Sequence, residues 1–203
     1  MKSAACLLLL GAACLAAPSG TRAATVTVVV QDAAGRPAEG AVVFLESVDA
    51  KAAVRPARDV SIAQVQRQFD PLVTVVTVGT AVSFPNRDTV RHHVYSFSPI
   101  KPFELKLYSG TPASPVVFDR PGIAVLGCNI HDTMAAWVVV VETPYHGRSL
   151  AGGTATLSGV PDGSYRLRAW HPGMPVGAPA SDRALVVTAP TTQATVQLAG
   201  WTR

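Results

Sequence analysis

Cysteine is scarce in this 203-residue chain: there are three, and two of them, Cys6 and Cys14, lie within an apolar run at the N-terminus. Only Cys128 stands in the body of the sequence. An intramolecular disulfide framework is therefore excluded there, and a solitary thiol in an oxidising compartment needs burial or a metal to protect it. Charge is sparse as well, at 15% Asp, Glu, Lys and Arg. No cluster of basic residues and no alternation of basic with aromatic residues occurs, so no nucleic-acid partner is expected. Long apolar runs are also missing. The best, Cys6 to Leu15, breaks at Pro18-Ser19-Gly20, short of the roughly 20 residues that cross a bilayer, so no stable membrane insertion is expected. With 48% hydrophobic residues the chain is nonetheless too apolar to be disordered.

The N-terminus reads Met1-Lys2, then the apolar run, then a small-residue site near Ala23, the pattern of a secretory signal peptide over residues 1–23. Lipidation of Cys14 is the alternative, disfavoured by Gly11 three positions before it. Cleavage removes Lys2 and Arg22 but no acid, so the formal charge falls from +4 to +2. The expected location is the periplasm of a bacterium, where Cys128 is then the mature chain's one cysteine.

Short β-branched runs separated by Gly, Pro, Asp and Asn fill the rest: Val26 to Val30, Ala41 to Leu45, Val73 to Val78, Ala81 to Phe84, Val116 to Phe118 and Trp137 to Val141. The predicted fold class is all-β. Ile62, Val65 and Phe69 have helix-like spacing, which predicts one helical turn or an irregular strand. Lys101 to Tyr108 alternates apolar with charged residues, as a half-exposed strand does, and Lys101 and Lys106 are candidates for partner docking.

Chemistry concentrates in Gly127-Cys128-Asn129-Ile130-His131-Asp132-Thr133-Met134, where a strand delivers a thiolate into a loop that returns an imidazole and a thioether. A second imidazole comes from Val90-Arg91-His92-His93-Val94. Alternation puts His92 in phase with Val90 and Val94, and His93 in phase with Arg91 and Tyr95, which favours His92 as the ligand. His93 joining or replacing it is the alternative. Thiolate and thioether favour Cu(I) while imidazole also suits Cu(II), so His92, Cys128, His131 and Met134 together suit copper. Zinc gains nothing from a thioether. His146 and His171 fall outside this pattern and are read as structural.

From about Val73 to Val141 the chain resembles the cupredoxin (blue copper) family, with Phe84-Pro85-Asn86 and Asp88 ahead of the first histidine and Phe118 with Pro121-Gly122 leading to Cys128. Its ligand loop, Cys-x2-His-x2-Met, is amicyanin-like, and the stretch is most similar to the plastocyanin-like group labelled methylamine utilization proteins. In relatives an Asn that ties the ligand loops together stands where this chain has His93. The hairpins Gln31 to Val43 and Leu157 to Tyr165 resemble the carboxypeptidase regulatory-like, or transthyretin-like, β-sandwich.

These resemblances imply a Greek-key cupredoxin sandwich over residues 55–143, inserted in or joined to a small transthyretin-like sandwich formed by residues 25–49 and 150–200. They imply a monomeric, non-enzymatic type 1 copper protein that passes single electrons to and from a redox partner such as a cytochrome or dehydrogenase, docking around Ile130 and Ala135. Multicopper oxidases need several His-x-His pairs, which this chain lacks. Copper delivery without electron transfer is the alternative function.

Overall fold

The computed structural model describes residues 22–202, so the export segment read at residues 1–23 lies outside the described residues except for Arg22 and Ala23. The described chain is almost entirely β. It runs β1 (Ala23–Gln31), β2 (Val42–Glu46), a short helix α1 (Val48–Ala52), β3 (Val60–Ser61), β4 (Ala63–Val65), β5 (Gln68–Asp70), β6 (Val73–Thr77), β7 (Thr80–Ser83) and β8 (His92–Ser96). Then come β9 (Phe103–Tyr108), β10 (Val116–Phe118), β11 (Gly122–Gly127), β12 (Ala135–Val141), β13 (His146–Arg148), β14 (Thr154–Pro161), β15 (Gly163–Trp170), β16 (Ser181–Val187) and β17 (Thr191–Gln197).

Strands from the two ends of the sequence share sheets. One sheet has the order β14-β1-β17 and a second β13-β2-β15-β16. In β1 the alternate residues Ala24, Val26, Val28 and Val30 are buried while their neighbours point outward, the period-two pattern of a strand with one face in a core. They join Val43 and Leu45 of β2, Leu167 of β15 and Val187 of β16 in one apolar cluster.

The middle of the sequence makes a five-stranded sheet, β6-β12-β11-β8-β9, and a three-stranded one, β10-β7-β3. Between them Ile62, Phe84, Val94, Phe118, Leu126 and Val138 form a second cluster that also contains Cys128 and Met134.

Strand β12 couples the two cores. Ala136, Val138 and Val140 face the second cluster, while Val139 and Val141 belong to the first. Burial on both faces is why its sequence, Ala-Ala-Trp-Val-Val-Val-Val, is a continuous apolar run rather than an alternating one. Each fully buried valine contributes about 1.5–3 kcal/mol relative to exposure. Trp137, on the outward face, packs 6.3 Å centroid to centroid from Trp170 of β15.

Two local features depart from the pattern in the sequence. The segment from Ile62 to Phe69 is neither a helical turn nor an irregular strand but a tight hairpin, β4 paired with β5. Its turn residues Gln66 and Arg67 have φ of 52° and 58°, the left-handed region of a two-residue hairpin turn. Asn-Gly would announce such a turn and Gln-Arg does not; here Asp88 stabilises it from a distance by accepting from both backbone amides, at 2.6 and 2.9 Å. Helix α1 was equally invisible in apolar spacing, and is capped by Ser47, whose Oγ accepts from the Ala50 amide at 3.0 Å.

Candidate metal centre

Strand β11 ends at Gly127 and hands Cys128 to a turn closed by the Met134 amide donating to the His131 carbonyl, 2.9 Å. Strand β12 leaves at once from Ala135, so three side chains with donor atoms are gathered within one turn. The opposite donor comes from β8, which pairs with β11 at Tyr95 and Gly127. A Cβ on Gly127 would stand 2.6 Å from the Tyr95 ring, so the absence of a side chain there is what lets β8 close on the Cys128 strand.

At the start of β8 the register with β9 shifts between His92 and Val94. Such a bulge breaks strict alternation. His92, His93 and Val94 are consequently all buried, an outcome that period-two reasoning does not anticipate. The two histidines part company: His92 turns to Cys128, and His93 Nε2 meets Glu104 Oε1 at 2.9 Å.

Ligand atoms of His92, Cys128 and His131 all lie within 4.8 Å of one another. His92 Nδ1 is 3.9 Å from Cys128 Sγ, and the His92 and His131 rings are 5.1 Å apart. Donors bound to a common ion at about 2.0 Å (nitrogen) and 2.3 Å (sulfur) stand within about 4 Å of each other, so the 3.9 Å between His92 Nδ1 and Cys128 Sγ fits. His131 Nδ1 is buried without a hydrogen-bond partner, which is costly for a neutral imidazole unless a metal takes the lone pair. Cys128 is a buried free thiol, and Met134 is 1% exposed in the same apolar cluster. The group is able to hold a metal ion, and its imidazole, thiolate and thioether chemistry is that of copper.

The residue that organises this cluster is Asp88. Its Oδ2 is 2.7 Å from His92 Nε2, which fixes the tautomer with the proton on Nε2 and leaves the Nδ1 lone pair toward Cys128. Desolvation pushes the Asp88 carboxyl up, but the Arg67 amide, His92 and the Gln66 amide together outweigh it and hold its pKa below the usual aspartate value. Asn86 fixes the loop in turn: its Oδ1 accepts from the Asp88 amide and its Nδ2 donates to the carbonyls of Val90 and Tyr108, each at 2.9 Å. The motif containing Asn86 and Asp88 stood out in the sequence, but the carboxylate's role did not. An Asp four residues before a candidate ligand histidine was the available signal.

Other candidates lie elsewhere. His146 is in β13, where burial lowers its pKa, and His171 stacks on Trp201 with ring centroids 4.0 Å apart. Lys101 contacts Asp119 at 3.4 Å while Lys106 is exposed. Ile130, in the ligand loop, is 46% exposed. Among the described residues no helix is long and apolar enough to cross a membrane.

No protein-family model matches the chain, and no curated protein sequence does. Solved structures match part of the chain's length. A copper-containing nitrite reductase from Thermus scotoductus SA-01 is 26% identical with a TM-score of 0.39, covering 43% of this chain, which spans only 23% of that enzyme. A purple cupredoxin from Nitrosopumilus maritimus is 23% identical over 41% of this chain and 100% of its own, with a TM-score of 0.37. A variant of amicyanin in its reduced state is 24% identical over 51% of this chain and 100% of its own, with a TM-score of 0.37.

Proposed function

We propose that the chain binds one copper ion through His92, Cys128, His131 and Met134 as a type 1 (blue) site, and passes single electrons between redox partners in the periplasm. The observation that carries this reading is the buried cluster of one thiol and two imidazoles, with His131 Nδ1 lacking any other partner. Bound copper supplies the one-electron exchange between Cu(II) and Cu(I).

The chain's own residues do the rest. His92 is supplied by β8 and Cys128 by the turn that follows the neighbouring strand β11, while Asp88 holds the His92 ring in orientation. Ala136, Val138 and Leu126 exclude water from the inner side. Electrons enter and leave by the His131 edge, beside the exposed Ile130, and a small patch around Ile130 and Ala135 suits brief docking by a cytochrome or dehydrogenase. The chain acts as a monomer, transforms no substrate itself, and is exported by a cleaved signal over residues 1–23. Service in methylamine oxidation belongs to the same reading.

The visible and electron paramagnetic resonance spectra after Cu(II) addition test it, with His92→Ala and His93→Ala beside the unaltered protein. An intense thiolate band with narrow copper hyperfine splitting, lost in His92→Ala and kept in His93→Ala, is the expected result. A colourless protein, or immediate reduction without a thiolate band, overturns it.

A second reading, copper delivery, draws on His131, the one partly exposed member of the buried cluster, beside which a partner's donor can reach the ion. Retention of both oxidation states against a Cu(I) chelator favours electron transfer, and ready loss of Cu(I) favours delivery.

A further inference from the structure

Arg67, Arg87, Arg91 and Lys106 are exposed on the elements that surround the candidate ligand His92. Asp88 accepts from the Gln66 and Arg67 amides, and the Arg87 amide donates to the Gln64 carbonyl at 3.0 Å. The tip of the β4–β5 hairpin is thereby fastened to the stretch, Arg87 to Arg91, that leads into β8. Lys106 joins from the other side. His92 pairs with Tyr108 and Val94 with Leu105, which sets Lys106 of β9 against the bulge at His93.

Among the described residues none of these cations has an ion pair. Many cations elsewhere are tied down. Lys51, Arg166 and Arg168 meet Glu142, Asp182 and Glu46, while Arg148 and Arg183 donate to backbone carbonyls. Nor do the carboxylates of the same elements neutralise this face: Asp88 is committed to His92 and the hairpin amides, and Glu104 to His93. Asp132 of the ligand loop lines a different cavity, with Trp137 and Trp170. Like charges repel over about 10 Å at 0.1 M salt, so the fold gains nothing by gathering them. A partner of opposite charge does.

The composition of the face selects among anionic partners. Leu107 and Ile130 are exposed there and line a cavity of about 270 Å³ with Lys106, and Glu104 stands at its wall. A uniformly anionic surface, such as a nucleic acid or a lipid bilayer, would set charge against Glu104 and polar groups against these apolar side chains. A protein surface can place carboxylates opposite the guanidiniums, which take them bidentately, and apolar atoms opposite Leu107 and Ile130.

We propose that this face is the docking surface for an acidic protein, with the partner's carboxylates on Arg67, Arg87, Arg91 and Lys106 and an apolar side chain in the cavity between Leu107 and Ile130. It names the kind of redox partner under the electron-transfer reading, on which it rests for its purpose, and seats that partner one side chain, Asp88, from His92. Docking itself requires no copper.

The test is a titration of the metal-free chain, followed by nitrogen–proton correlation spectra, with an acidic nonapeptide repeating Glu-Asp-Leu. Saturable shifts are expected at the amides of Gln66, Arg67, Arg87, Arg91, Lys106 and Ile130. Exposed ion pairs are individually weak, so Kd is on the order of 1 mM at about 0.02 M salt, and about 0.3 M salt raises it at least about tenfold. Replacing both arginines of the loop, Arg87→Gln with Arg91→Gln, weakens binding about fivefold, and Lys106→Gln alone about twofold. Arg183→Gln, on β16, leaves it unchanged. The same spectra establish that each variant folds. No saturation, shifts spread over β1 and β14 to β17, equal weakening by Arg183→Gln, tighter binding of a heptanucleotide of equal charge, or retention on phosphatidylglycerol vesicles at salt that releases the peptide overturns the proposal. Because no copper is present, its failure is separate from any failure of the electron-transfer reading.

Discussion

Asp88 Oδ2 and His92 Nε2 stand 2.7 Å apart, and the same carboxylate accepts from the amides of Gln66 and Arg67. One side chain thus orients a candidate ligand and stabilises a hairpin turn from a distant part of the sequence. Neither task can be done by a neutral isostere in the same way.

Asp88→Asn keeps the shape but gives up the anionic acceptor. Loss of such an outer partner typically costs 10–100-fold in metal affinity. A fall of about that size in Cu(II) affinity, measured by competition with a chelator, is expected, together with a shifted thiolate band because the His92 ring is free to tilt. Unchanged affinity would mean that the His92 tautomer is fixed elsewhere.

Met134 is 1% exposed and shares the apolar cluster of Cys128, so it has a packing role whether or not it touches copper. Met134→Leu separates the two. The volumes match, so stability should change by less than about 1.5 kcal/mol in a chemical denaturation curve. A weak axial thioether tunes the redox potential, and its loss should raise that potential in voltammetry because Cu(II) loses a donor. A stable variant with an unaltered potential would remove Met134 from the ligand set.

What the sequence reveals of this molecule follows the range of the interactions. The loop from Cys128 to Met134 is legible because its donors are close in the chain and scarce elsewhere. The strands are legible wherever one face alone is buried, as in β1. Legibility fails where a distant group decides the conformation: Gln66 and Arg67 adopt positive φ because of Asp88, and His93 is buried because a bulge in β8 sets it against Glu104. Likewise the apolar run of β12 announces a buried strand, but only the fold shows that its outward face closes the core built by the chain's two ends.

Tyr108 joins the candidate site to its support: the hydroxyl is 2.8 Å from Gln64 Oε1 and 2.7 Å from the Phe84 carbonyl. Burial pushes its pKa up from 10.0 to about 12. The folded value lies above the unfolded one, so the stabilising contribution is complete below pH 10 and is lost as pH rises through about 12. Ultraviolet titration should show a tyrosinate step near pH 12 that is lost in Tyr108→Phe. That variant also removes the single hydroxyl proton that Gln64 Oε1 and the Phe84 carbonyl share, at a cost of about 1–3 kcal/mol.

Val141 is fully buried on the face of β12 that belongs to the first core, far along the strand from Met134. Val141→Ala removes two methyl groups from a close-packed junction, so a loss of about 2 kcal/mol is expected from transfer and residual cavity together. Because β12 contributes to both cores, the loss should appear as one shifted cooperative transition, followed in parallel by tryptophan fluorescence, which reports on Trp137, Trp170 and Trp201, all packed at the first core, and by the thiolate band of the copper-loaded protein. Two transitions, with fluorescence shifted and the thiolate band not, would show instead that the two cores unfold independently and that β12 is a contact between them rather than a shared element.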